Sequence, residues 1–521
     1  MSANHWVIPA LILGASSACS APESPNPAPE PPSGGAPAGG SAGSSANGGS
    51  SGLGGHGGGG SGATGNDGGA AGTGGAAGGG GGQAGSTGGD GGGGGDVDPG
   101  AVKDGETQLS NQALAVVSYG GYLNGESFQQ DGIITHLGYQ YTAFWNTARH
   151  VVLARRELPN GAWSSLEFTD YTNTESDAHN TISLGIAPVD GTLHLAFDHH
   201  TSDLNYRRSV TGLLSSAGGA WQTSSFSATT DALESGVPVE QVTYPRFITV
   251  PGGEKLLMSA RLGTSGSGDE YLWEYDTASH TWTSLGKYID GVSGDVNAYL
   301  HGIAYTPGGT RLHAAWCWRE TPDASTNHDL AYVYSDDHGR TWKNNAGVTI
   351  GTTGTTAIDQ SSPGLHVVEI GQDRGLINQE HLTVDALGRV HVLLSHLPED
   401  AANDSNFESA RSKSEYFHYL RELDGTWKRT ALGLPVVANL RGKFALSSSQ
   451  NLYAILPDLR IAGAAKSDGY ATWTVFDDRD SGRFFSDPLI DSARLLLEDK
   501  LSVVYQEKAS SDLFVLDYSL K

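Results

Sequence analysis

Short stretches in which apolar and polar side chains alternate recur after about residue 105, and helical periodicity is scarce there. Thr192 to Phe197 reads T-L-H-L-A-F, Arg311 to Trp318 reads R-L-H-A-A-W-C-W, and Arg389 to Leu394 reads R-V-H-V-L-L. Each follows a turn rich in Gly, Asp or Pro: Val189-Asp190-Gly191, Pro307-Gly308-Gly309 and Asp385-Ala386-Leu387-Gly388. Gly and Asp tolerate the left-handed backbone of tight turns, so each stretch is expected to be the return strand of a β-hairpin.

These hairpins repeat a plan. Gly185-Ile186 leads into G-T-L-H-L-A, Gly302-Ile303 into G-T-R-L-H-A-A, and Leu382-Thr383-Val384 into G-R-V-H-V-L. Other units close on an aromatic: Gly161-Ala162-Trp163, His280-Thr281-Trp282, Gly339-Arg340-Thr341-Trp342 and Gly425-Thr426-Trp427. The spacing is roughly 50 to 60 residues, which suits one four-stranded propeller blade, and about 420 residues at that period make seven or eight blades. Ser335-Asp336-Asp337-His338-Gly339-Arg340-Thr341-Trp342 also fits the Asp-box S-x-D-x-G-x-T-W, in which Ser and Asp tie a hairpin turn and Trp packs between blades. That box fixes fold and says little of function.

Composition divides the chain. Of its 74 glycines, 35 fall between residues 31 and 100, in a tract of Gly, Ser, Ala and Pro with almost no large apolar side chain. Such a tract cannot offset its conformational entropy by burial, so residues 20–100 are expected to be a disordered linker with a root-mean-square span of roughly 50 Å. Residues 101–521 are expected to form an all-β propeller. Ahead of the linker, Trp6 to Ala15 are too short an apolar run to span a bilayer, and small residues precede Cys19, as in a secretory signal peptide. Cys19 resembles the lipidated cysteine of bacterial lipoproteins. Residues 1–19 are therefore expected to export the chain to the cell surface or outer membrane, or, without lipidation, to secrete it. A membrane would be met only through that anchor.

The formal net charge of −26 argues against nucleic acid as a partner. It leaves room for an acidic polysaccharide in a locally basic cleft. Candidate chemistry sits in four polar clusters: Asp177-Ala178-His179-Asn180, Asp198-His199-His200 followed by Tyr206-Arg207-Arg208, Thr243-Tyr244-Pro245-Arg246-Phe247, and Arg261 to Gly268. His179 and His200 flank a hairpin that turns near Asp190, so both should lie at the same open end of one blade.

Together with N-A-Y-L-H-G-I, W-C-W-R-E-T, N-H-D-L and F-H-Y-L-R-E-L-D-G-T-W, these clusters resemble the BNR-repeat family that includes the seven-bladed ulvan lyases. The resemblance implies a seven-bladed β-propeller, preceded here by the Gly/Ser-rich linker, that performs β-elimination on a uronic acid in an acidic polysaccharide. It implies His179, His200, Tyr244 and Arg261 as the catalytic set: Arg261 neutralises the uronate carboxylate, and either His179 or Tyr244 removes the proton at C5. It implies Asn180, His199, Arg246 and Arg319 as substrate contacts. Of the adjacent histidines, His200 is favoured for the reaction, because the spacing to L-x-Y-R-R-S is then right.

Cys317 is the only cysteine besides Cys19. On straight strands with a turn at Thr306 to Gly309, His301 falls opposite about Ala315 and Cys317 opposite about His328. Soft sulfur with imidazole suits a structural zinc at His301, Cys317 and His328, and a buried free thiol is the alternative. No organic cofactor is expected, and the protein is expected to be a monomer. A glycan-binding surface propeller and a sialidase-like hydrolase are the competing functions. The hydrolase is disfavoured by a single clean Asp-box and the lack of an early R-I-P motif.

Overall fold

The computed structural model describes residues 97–521, apart from 119–120, 129–130, 216–218, 438, 481 and 485. The expected signal peptide with Cys19, and nearly all of the expected linker, lie outside the described residues.

The described residues form seven antiparallel meanders arranged as seven blades. The first is Ile133–His136, Tyr139–Trp145, Val151–Glu157 and Ser164–Phe168. The second is Ile182–Ala187, Thr192–Phe197 and Tyr206–Arg208, with isolated bridges from Tyr206 to Thr230 and from Ser209 to Phe226 on its outer side. The third runs from Val242–Thr249 through Lys255–Thr264 and Ser267–Asp276 to Thr281–Ile289, and the fourth from Asn297–Tyr305 through Leu312–Arg319 and Asn327–Ser335 to Thr341–Lys343. The fifth and sixth begin at His381–Val384 and Lys443–Leu446.

The seventh blade closes the ring. Its strands Leu489–Ile490, Lys500–Gln506 and Leu513–Leu520 take their outer partner from the other end of the chain, Ala101–Ser110, in antiparallel register with Leu513–Leu520. Joining first and last strands in one sheet removes the free edge that an open array would leave.

The repeated sequence units map onto blade positions. Each Gly-Ile pair sits on an innermost strand, where the neighbouring blade crowds in: a Cβ on Gly185 would lie 2.5 Å from Phe247 Cβ, and one on Gly302 would lie 2.8 Å from Leu382 Cβ. The repeated histidines are buried packing groups of the second strands. His194 bonds Thr192 Oγ1 and Tyr206 OH, His313 bonds Thr306 Oγ1 and Tyr332 OH, and His391 bonds His418. The aromatic closes mark the turn into the fourth strand. In the Asp-box, Asp337 accepts from Ser335 Oγ, Thr341 N and Thr341 Oγ1, and fully buried Trp342 stacks on Tyr288 of the preceding blade at 5.1 Å. Asp337→Ala leaves three donors unmet, so it is expected to cost about 1–3 kcal/mol, read as a thermal midpoint lowered by several degrees.

Inner strands and the helix Ser492–Glu498 surround an axial cavity of about 300 Å³ lined largely by Ile133, Leu184, Ile248, Leu382, Phe444 and Leu495. In such meanders, the segment entering an inner strand and the turn between second and third strands share one end of the blade. That end carries the polar clusters.

Candidate active site

Asp177 to Asn180 lead into the inner strand of the second blade. Asp177 Oδ1 accepts both the backbone N–H of His179, at 2.8 Å, and its Nδ1, at 2.6 Å. Asp177 Oδ2 bonds Nδ1 of His200 at 2.6 Å. The two imidazoles stack with centroids 3.9 Å apart, and Phe128 stacks on the far face of the pair's buried member, His179, at 5.1 Å. His200 reaches this place because Asp198 and Thr201 take positive φ angles of 66° and 57°, turning the short strand His200–Ser202 across to pair with the third blade opposite Thr243. The two histidines therefore meet at one end of the blade, as their spacing around the hairpin implied.

Burial, then the charge of His200, lowers His179 to about 4 against the pull of Asp177. Burial alone would raise the Asp177 carboxyl, but its hydrogen bonds to the two imidazoles hold it well below the usual carboxylate range.

Beside this group lies a β-bulge. The third blade pairs Thr243 with Arg261 and Arg246 with Ser259, so Tyr244 and Pro245 together oppose one residue. Tyr244 has φ 58°, a conformation costly for a bulky side chain and typical of places where a bulge re-aims a residue. Its ring packs 5.7 Å from His179, 5.3 Å from Phe128 and 6.0 Å from Tyr299. The Arg261 guanidinium lies 5.1 Å from the Tyr244 centroid and donates to Thr243 Oγ1 at 2.9 Å and to Tyr299 OH at 3.4 Å. Arg261 Nε is buried without a hydrogen-bond partner among the described residues, and no ion pair engages this arginine there. Across the strand pair from Arg261 stands Glu270, whose carboxyl burial raises to about 7 while Arg246 and Arg261 pull it down. His179, His200, Tyr244 and Arg261 thus form one cluster from two blades.

The expected substrate contacts fare differently. His199 is buried, and its Nε2 accepts from the Asn205 backbone N–H, so it ties the loop; burial pushes it down to about 3. Arg246 is buried, and its Nε donates to Phe128 O at 3.2 Å. Arg319 is 1% exposed, and its nitrogens donate to Asn327, Tyr299 and Asn378. Asn180 follows His179 in the chain: its backbone carbonyl accepts from Trp145 Nε1, and its Oδ1 is buried with no partner among the described residues.

The zinc set is not assembled. Strand register slips between Leu300 and Gly302 and between Trp316 and Trp318, so Cys317 faces Tyr299 and His328 pairs with Trp318. His328 is held by Glu320 and Asp329, His301 Nδ1 accepts from Glu380 N, and Cys317 is a buried free thiol that burial pushes up to about 12. Among the described residues, the group of His, Cys, Asp or Glu whose ligand atoms lie within 4.8 Å of one another, and which could hold a metal ion, is Asp177, His179 and His200. Its donor types suit zinc. Its two 2.6 Å contacts have hydrogen-bond length, and a cation would have to displace both.

Sequence reasoning missed the anchoring role of Asp177, although D-x-H is visible in the chain. It also missed Phe128 and Tyr299, which carry no motif of their own.

Residues 139–433 match a family described as BNR repeat-containing family member. The long isoform of an ulvan lyase from Alteromonas sp. (strain LOR) is 26% identical over 262 residues, 42% of this chain and 26% of that protein. That of Pseudoalteromonas sp. (strain PLSV) is 24% identical over 316 residues, 50% of this chain and 31% of that protein. These alignments span about a quarter to a third of the curated relatives. Among solved structures, that of the polysaccharide lyase Uly1 superposes with a TM-score of 0.61 at 16% identity, covering 80% of this chain and 99% of the other. A PL25 ulvan lyase bound to -[GlcA(1-4)Rha3S]- gives 0.57 at 12% identity, covering 78% and 95%. At such identities the likeness shows the fold, a propeller of the kind those lyases have.

Proposed function

We propose that this chain, which belongs to the BNR repeat-containing family, is a polysaccharide lyase that cleaves a uronic-acid-containing, ulvan-like polymer by β-elimination. The carrying observation is a buried guanidinium, Arg261, without an ion-pair partner among the described residues, set against Tyr244 and the Asp177-held imidazoles. The likeness to ulvan lyases by sequence, and the glucuronate–rhamnose sulfate unit bound by the PL25 enzyme, support the substrate class.

In this reading the uronate carboxylate docks on Arg261, whose planar fork suits it and spreads the charge that builds up when the C5 proton leaves. With Nδ1–H donated to Asp177, His179 keeps the Nε2 lone pair and takes the C5 proton. Tyr244 gives its phenolic proton to the departing O4. The C5 electron pair forms the C4–C5 double bond as the C4–O4 bond breaks, and proton return from His179 to Tyr244 through solvent resets the site. A phenol packed beside the Arg261 cation supports this reading over a propeller that only binds glycan. The reading includes export by residues 1–19, with the chain held at the cell surface through Cys19 or, without lipidation, secreted.

The test is incubation of the protein with ulvan and other uronate polysaccharides, following the ultraviolet absorbance of the new double bond conjugated to the carboxylate. A rise is expected with ulvan. Binding without a rise on every polymer tried would leave a glycan-binding propeller instead.

A further inference from the structure

We infer that Asp177 is a positioning residue that locks both imidazoles of the site into the same tautomer, with the proton on Nδ1 and the lone pair on Nε2. An ionised carboxylate only accepts hydrogen bonds. Its oxygens meet Nδ1 of His179 and Nδ1 of His200, both at 2.6 Å, so each ring nitrogen facing it must carry a proton. The rings, stacked 3.9 Å apart, are then presented as a parallel pair with both Nε2 atoms on the side away from the carboxylate.

The carboxylate is itself held. Its Oδ1 also accepts the His179 backbone N–H, fixing its rotamer against the segment it starts. Arg149 ties that segment from below, donating to Glu175 O and Ser176 Oγ at 2.8 Å each, and Asn173 Oδ1 accepts from Glu175 N. Asp177 contacts no reacting atom in the proposed chemistry. It acts through the two rings, and the kinetic arm of its test rests on the lyase reading above.

Asp177→Asn keeps the shape but not the pattern. One amide atom accepts and the other donates, so one imidazole keeps its Nδ1 proton while the other must offer a lone pair there and move its proton to Nε2. In ¹⁵N-histidine-labelled protein, both rings of the wild type are expected in the Nδ1–H tautomer, and one ring is expected to switch in Asp177→Asn. On ulvan, kcat is expected to fall about 100-fold or more with KM within a few-fold, and Asp177→Glu, which restores an acceptor-only group, should recover part of the loss. Unchanged tautomers in Asp177→Asn overturn the proposal. So does a stoichiometric metal in the wild type that Asp177→Asn loses, which would make the carboxylate a ligand. If no polymer is cleaved, the lyase reading fails and the tautomer measurement still decides the role of Asp177. If polymers are cleaved and kcat is unmoved in Asp177→Asn, the lyase reading stands and this one falls.

Discussion

Arg261→Ala is expected to lower kcat/KM on ulvan by about 10³-fold or more, because the charge that forms on the uronate carboxylate as C5 loses its proton would have no cation to meet. Arg246 is held apart by its Nε, which donates to the Phe128 carbonyl. Arg319 is likewise committed to Asn327, Tyr299 and Asn378. Since Arg261 is 1% exposed and bonds Thr243, alanine also removes packing, and Arg261→Lys provides the control that keeps the charge. Lysine is a point charge without the fork, so an intermediate loss is expected, with thermal denaturation showing both variants folded. Cleavage by Arg261→Ala at near wild-type rate would place the carboxylate site elsewhere.

Tyr244→Phe should be nearly as severe, about 10²- to 10⁴-fold in kcat, since it deletes the proton donor at the leaving oxygen. The ring contacts to Phe128, His179 and Tyr299 survive the change, and so does the guanidinium above the ring. KM and the thermal midpoint are therefore expected to stay close to wild type, which distinguishes a chemical role from a packing one. Steady-state kinetics settles it, and a rate within a few-fold of wild type would remove Tyr244 from the reaction.

The blades were readable because their cues are local. A Gly or Asp turn before an apolar alternation specifies a hairpin wherever it stands, and the Asp-box ties its turn within eight residues, from Ser335 to Trp342. The histidine in the repeated plan was readable as a repeat, and its place against a tyrosine of the third strand follows from the same register in His194 and His313. The zinc reading failed for a related reason. It counted residues along straight strands, whereas irregularities at His301 and Cys317 each break the count by one, and a one-residue slip sends a side chain to the other face.

The site shows the same division. That His179 and His200 share one end of a blade follows from the period-two geometry of a hairpin, and that Arg261 and Tyr244 belong near them came through the family resemblance. That one carboxylate grips both imidazoles, that Tyr244 turns inward at a bulge, and that Arg319 faces its neighbours instead of a ligand all depend on contacts between strands remote in the chain. Alternation, turn residues and glycine distribution act through nearest neighbours and so written order alone carries blade, repeat and tail. That Arg261 meets Thr243 and Tyr299, and no ion-pair partner among the described residues, is set across blades three and four, so only packing the blades around a common axis decides it.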